Sequence, residues 1–175
     1  KRVKKILVEN NRAVGVLLTD DTVHKADYII SAADGHSTLF DMLDGKYLTP
    51  QLEKAYSSWD LYKPFVQVSF GIKDKIVSDA VMISYLKDKF TIGSLGVNYG
   101  YSIMNQSMND PSLAPDGKTS LVLRFDSLWE EWENLNQQDY EMLKGLIRDW
   151  AVETIEMHYP GVKEKIEVMD IATPK

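Results

Sequence analysis

At 175 residues, with 44% hydrophobic and 26% charged side chains, the chain can bury a real core and has the composition of an ordinary globular protein of one domain or two small lobes. A net charge of −6 argues against nucleic acid as a partner, because attraction to phosphates needs a basic surface, and no apolar stretch approaches the roughly 18 residues needed to cross a bilayer. The absence of cysteine excludes disulfides, thiolate metal sites and a cysteine nucleophile; with no signal-like pattern at the N-terminus, a cytoplasmic location is expected.

The run from Lys1 to Glu9 already reads as a strand, with Val3, Ile6 and Val8 apolar. Natural proteins usually open on a few loose residues, so an internal piece of something longer is expected. Residues 1 to 31 read as a β-meander of four short strands: Val3 to Glu9, Ala13 to Thr19, Thr22 to Lys25 and Tyr28 to Ser31. The breaks, Asn10-Asn11, Asp20-Asp21 and Ala26-Asp27, are rich in residues that tolerate turn geometry. After Ala32-Ala33-Asp34-Gly35 the texture changes. A short helix is expected from His36 to Leu43, and a second from Pro50 to Ser57, with Thr49 as its cap and proline at its first position.

From Phe65 the pattern turns extended again: Phe65 to Ile72, Ala80 to Leu86, a broken stretch from Phe90 to Asn105, and Ser120 to Asp126. Alternation such as Val66, Val68, Phe70 predicts an antiparallel sheet of four or five strands. Residues 109 to 117, dense in turn formers, predict a loop. The clearest element is a helix from Gln137 to His158, capped by Asn136, with Tyr140, Leu143, Ile147, Trp150 and Thr154 along one face and Leu146 and Ile155 beside them. Tyr159-Pro160-Gly161 stops it, and a last strand runs from Ile166 to Ala172.

Residues suited to catalysis are scarce. His24, His36 and His158 have no ligand-spaced partners. Asp20-Asp21 and Glu130-Glu131 read as solvated pairs. The serines Ser31, Ser37, Ser69 and Ser84 lack a nucleophile-elbow context, and no glycine-rich phosphate loop is present. No catalytic residue and no metal ligand is assigned. Aromatics are dense from Trp59 to Tyr101 (Trp59, Tyr62, Phe65, Phe70, Tyr85, Phe90, Tyr99, Tyr101). An aromatic-lined pocket would suit a lipophilic ligand, but aromatics also favour strands and pack cores, and from the residues alone core packing is the simpler account.

The stretch V-K-K-I-L-V-E-N-N-R-A-V-G-V-L-L-T-D-D-T-V-H-K-A-D-Y-I-I-S-A-A-D-G resembles a signature region of FAD-containing oxidoreductases of the glutathione reductase type. The later P-F-V-Q-V-S-F-G-I, N-D-P-S-L-A-P-D-G-K-T-S-L, H-Y-P-G-V and I-E-V-M-D-I-A-T-P resemble the substrate domain of phytoene desaturase-related proteins, a family that includes amine oxidase-like members. The order of these motifs covers nearly the whole chain. The resemblance implies an α+β fold, with residues 1–33 a remnant β-meander of an FAD-binding domain and residues 34–175 a substrate-binding domain cut short at its C-terminus.

It further implies that Val3 matches a position whose backbone meets the FAD adenine. Ser31, Ala32 and Ala33 match a strand end passing near the cofactor, and Phe70, Tyr85, Tyr99 and Tyr101 are the candidate substrate pocket. The parent would desaturate, dehydrogenate or isomerise a hydrophobic substrate, with an isoprenoid in view. Peripheral membrane contact of the parent is left open, as is amine oxidase-like activity. The rival reading is a non-catalytic domain that holds a lipid or a protein on an aromatic sheet face. Two departures stand out: these residues contain no dinucleotide-binding βαβ unit and no segment that returns to the flavin after Thr173-Pro174. Asp21 also stands where the family often has glycine. The fragment alone is expected to be inactive, to expose apolar surface and to self-associate.

Flavin affinity in such folds comes largely from pyrophosphate contacts at a glycine-rich helix N-terminus, which this sequence lacks. The purified chain is therefore expected to be colourless; a flavin absorbance band co-eluting with it on gel filtration would refute this.

Overall fold

The computed structural model describes residues 1–60 and 62–175, without the side chains of residues 87 and 88. Contacts divide the chain into two compact units, Lys1–Leu61 and Tyr62–Lys175, so residues 34–60 share a unit with the first strands. Helices and antiparallel sheets are both present, an α+β architecture.

In the first unit, β1 (Val3–Glu9), β2 (Arg12–Leu18) and β3 (Val23–Lys25) form an antiparallel sheet in that order. Asn10 and Asn11, at φ 50° and 61°, make the two-residue turn that pairs Glu9 with Arg12, a left-handed geometry that asparagine tolerates. The fourth strand expected at Tyr28 to Ser31 does not form. The sheet ends at β3, and Tyr28 and Ile30 stand 84% and 92% exposed. A strand exists only by hydrogen-bonding to a neighbour, which apolar composition cannot supply. The helix expected near His36 is a π-helical turn, Ser37–Met42, entered through Asp34, whose carboxylate accepts from the Ser37 amide at 2.8 Å. That amide holds the Asp34 carboxyl below its usual pKa. Lys5 on β1 pairs with Asp44 just beyond the turn at 2.7 Å. Helix α1 (Pro50–Ser58) starts as expected, with Thr49 accepting from the Leu52 amide.

The second unit is built on a five-stranded sheet. Its strands are β4 (Phe65–Ile72), β5 (Met82–Phe90), β6 (Asn98–Asn105), β7 (Thr119–Asp126) and β8 (Ile166–Ala172), in the order β5-β6-β7-β4-β8. All pairings are antiparallel. A short helix, α2 (Gln106–Asn109), and a 3₁₀ turn, Pro111–Leu113, occupy part of the stretch expected to be irregular loop.

Helix α3 (Gln137–His158) has the expected bounds, with Asn136 accepting from the Asp139 amide at 2.9 Å. It buries Leu143, Ile147, Ala151 and Ile155 against Val66, Val68, Phe70, Ile72, Ile103, Leu121, Leu123 and Phe125 of the sheet. The buried stripe also includes Thr154, while Leu146 lies off it at 43% exposed. Trp150 sits at the margin, half-buried and stacked on Phe90 with centroids 5.2 Å apart. The helix ends at Tyr159, and Gly161 takes φ 83°. Glu156 reaches over this turn to accept from the Gly161 and Lys163 amides at 2.6 and 2.8 Å, bonds that lower its carboxyl pKa.

Ile147 is fully buried in the helix-sheet interface, so Ile147→Ala should cost about 2–5 kcal/mol by deleting packed methylenes and leaving a cavity. Leu146→Ala, one residue away on the exposed flank, should cost far less. Urea unfolding of the two variants measures the contrast, and equal losses would show that the buried stripe is misassigned.

Candidate functional site

Because successive strand side chains point to opposite sides of a sheet, burying one set under α3 presents the other set outward. On β6, Tyr101, Ile103 and Asn105 are buried, while Gly100, Ser102 and Met104 alternate with them. The register places Ser84, Ser102, Arg124 and Gln67 in one row across the sheet, and Met82, Met104, Val122 and Ser69 in the next. This outward side carries an open cleft of about 660 Å³. Met82, Leu86, Met104, Val97 and Phe65 supply its apolar surface, Ser84, Gly100 and Ser102 a low floor, and Tyr62 and Tyr99 aromatic edges. A smaller depression of about 370 Å³ lies by Gly71, Ser120 and Val168, next to Leu113 and Pro115.

One wall is held by Glu131. Its carboxylate accepts from the Ser127 hydroxyl at 2.7 Å, from the Leu128 amide at 2.8 Å and, through its other oxygen, from the Gly96 amide. Ser127 also accepts from the indole N–H of fully buried Trp132 at 2.7 Å. The bonds join the segment before β6 to the segment after β7. A β-carbon on Gly96 would fall 2.5 Å from the Glu131 carboxylate, so the close approach depends on glycine there.

Lys63, Arg124, Asp126 and Glu131 are the charged residues lining the cleft. Arg124 Nε donates to Gln67 Oε1 at 2.8 Å, the Gln67 amide donates to Ser69 Oγ at 3.2 Å, and the guanidinium carbon lies 4.7 Å from the Phe65 ring centroid. No histidine lines the cleft, and among the described residues no group of three His, Cys, Asp or Glu could hold a metal. Lined mostly by apolar and small side chains, the arrangement can bind and orient a hydrophobic molecule.

The four aromatics proposed from sequence separate. Phe70 and Tyr101 are buried, 2% and 4% exposed, in the core with α3, and Tyr101 also lines the open cleft. Tyr85 is half-buried on the same side, its ring 5.3 Å from Tyr101 and 3.9 Å from His158. The Tyr101 hydroxyl bonds His158 Nε2 at 2.7 Å, and burial, then the neighbouring Tyr85, raises its pKa. Tyr99 is 59% exposed at the cleft, opposite the irregularity in pairing between Leu86 and Phe90. Of the positions proposed to meet FAD, Val3 is half-buried in β1, and Ser31, Ala32 and Ala33 are exposed, with Ser31 Oγ 2.8 Å from Thr38 Oγ1. The sequence reading missed Met82, Ser84, Leu86, Gly100, Ser102, Met104 and Arg124. Their signal was parity: each alternates with a residue such as Ile103 or Phe125 that had to be core.

No family model matches the chain. It is 29% identical to a chloroplastic prolycopene isomerase of Daucus carota over 99% of this chain and 28% of that protein. It is 30% identical to prolycopene isomerase 2 of an Oncidium hybrid cultivar, again over 99% of this chain and 30% of the other. With a neurosporene-forming phytoene desaturase of Cereibacter sphaeroides it shares 24%, over 99% of this chain and 35% of the desaturase. An oxidoreductase from Methanosarcina mazei, at 20% identity and TM-score 0.48, aligns with 98% of this chain and 36% of its own. The chain's relatives are thus prolycopene isomerases and phytoene desaturase, as its motifs had indicated, and it spans about a third or less of their length.

Replacing Glu131 with alanine removes the acceptor shared by Ser127, Leu128 and Gly96; because the Leu128 and Gly96 amides are open to water, the loss should be about 0.5–1.5 kcal/mol. Thermal unfolding followed by tryptophan fluorescence, to which buried Trp132 contributes, tests this; an unchanged melting temperature would show that the wall does not depend on the clamp.

Proposed function

We propose that this chain is the substrate-holding part of an FAD-dependent oxidoreductase that desaturates, dehydrogenates or isomerises a long hydrophobic isoprenoid, and that the outward side of the five-stranded sheet is the floor on which the substrate lies. The observation that carries the reading is the open apolar cleft on that side, with Leu86 91% exposed and Met82 56% exposed over a floor of serine and glycine. Large exposed apolar groups gathered on one side of a sheet mark a surface meant to be covered. The isomerase and desaturase relatives act, by their names, on prolycopene and phytoene, and it is the long isoprenoid skeleton of such molecules that an apolar cleft suits.

Each part of the cleft has a physical role in this reading. Ser84, Gly100 and Ser102 keep the floor low, so that a flat, rigid chain can approach the backbone. Met82 and Met104 supply flexible, polarisable surface that adapts to an irregular ligand. The wall braced by Glu131 limits lateral movement and, with Tyr99, keeps water from one flank. In this reading these residues bind, orient and desolvate the substrate.

Exposed, small Ser31, Ala32 and Ala33 suit close passage of a cofactor along the backbone, and Val3 offers an apolar strand position. A pyrophosphate cradle is another matter. Among the described residues no helix of two turns or more opens from a glycine-rich turn: α1 opens from Thr49-Pro50 and α3 from Asn136. The residues present therefore do not suffice to hold FAD, and no chemical step is assigned to it here.

The test is titration of the chain with an acyclic C40 polyene in detergent, read by quenching of tryptophan fluorescence. Leu86→Asp should weaken binding about tenfold or more, since it places a charge under an apolar ligand, while leaving the melting temperature nearly unchanged because the Leu86 side chain is almost fully exposed. Unaltered polyene binding by the folded variant would refute the assignment of this face.

A further inference from the structure

Arg124 sits where a purely hydrocarbon ligand would be least welcome. It projects from the middle strand of the sheet, in the row Ser84, Ser102, Arg124, Gln67, between the apolar surfaces of Met104 and Phe65. Its conformation is held on two sides. Gln67, oriented by its own bond to Ser69, takes the Nε proton at 2.8 Å, and the Phe65 ring lies under the guanidinium at 4.7 Å. Among the described residues the two terminal nitrogens donate to nothing, and Arg124 forms no ion pair. The other charges of the cleft do not change this: Glu131 is engaged by Ser127, Leu128 and Gly96, and Asp126 and Lys63 are exposed at its margin.

A ligand lying in the cleft would cut those terminal N–H groups off from water. A guanidinium so covered must find acceptors or pay the full cost of desolvation. A hydrocarbon has none to offer, whereas an oxygen at the end of an apolar chain does. A guanidinium fixed in advance loses less freedom in making the bond than a mobile lysine would.

We propose that Arg124 is the polar recognition point of the cleft, and that the preferred ligand is an isoprenoid carrying an oxygen acceptor, a hydroxyl or a carboxylate, at the end that reaches this row. This rests on the reading of the cleft as an isoprenoid site and adds that the ligand is amphipathic.

The experiment compares three ligands of one C20 skeleton, phytane, phytol and phytanic acid, by their ability to displace the C40 polyene from the full chain. Phytol or phytanic acid should bind about ten- to hundredfold more tightly than phytane, the range expected for hydrogen bonds to a charged donor, and the stronger of the two identifies the end group. Arg124→Met should remove that preference, and Arg124→Lys should restore only part of it. Equal binding of all three by the unaltered chain would overturn the inference while leaving the isoprenoid reading intact. A preference surviving in folded Arg124→Met would overturn it too, by placing the polar contact elsewhere. Binding of none of the three, nor of the polyene, would sink the underlying reading instead. If Arg124→Met fails to fold, Gln67→Leu, which frees the guanidinium without removing it, should reduce the preference.

Discussion

The second unit depends on one packing relation: a single long helix laid against one side of an antiparallel sheet. Leu143, Ile147, Ala151 and Ile155 contact alternating residues of the strands, and those contacts decide which half of every strand is interior. Once Val66, Val68 and Phe70 are committed to the helix side, Gln67, Ser69 and Gly71 face outward with no further choice. The strand period of two makes the decision global, because a slip of one residue would turn the whole set over. The cleft is therefore the complement of the core, and its composition was set by the same alternation that built the core.

The walls have a different origin. They are connecting segments brought together by hydrogen bonds, with Glu131 accepting from both sides of the sheet's end and Trp132 anchoring the donor chain through Ser127. Such a polar cluster is stable because each member is satisfied; among the described residues no buried side-chain polar atom lacks a partner. Arg124, held between Gln67 and Phe65, is braced in the same way.

The first unit follows other rules. Its sheet is small, its described hydrophobic side chains are at most partly covered apart from Leu18, and Tyr28, Ile30 and Trp59 are largely exposed. Turns rather than a deep core shape it: the Asn10-Asn11 reversal, the Asp34 cap of the π-helical turn and the Lys5–Asp44 pair.

Most of the elements were legible in the sequence because their signals are local. Asn136 before an apolar periodicity and Gly161 after it delimit α3, Thr49-Pro50 starts α1, and paired asparagines close the first hairpin. The motifs likewise pointed to the relatives that the chain has. What local signals could not decide was partnership and side. Tyr28 to Ser31 has strand composition but no neighbouring strand. Phe70, Tyr85 and Tyr101 have the chemistry of a ligand pocket, yet they share the parity of the side that α3 covers, and of the three Tyr101 alone also lines the open cleft. Met82, Leu86, Met104 and Arg124 drew no notice as residue types and became a cleft only through the register of four strands. Aromatic density is a property of composition, which a sequence displays directly. Which side of a sheet a residue occupies depends on where a helix far along the chain comes to rest, and that is settled only when the chain has packed.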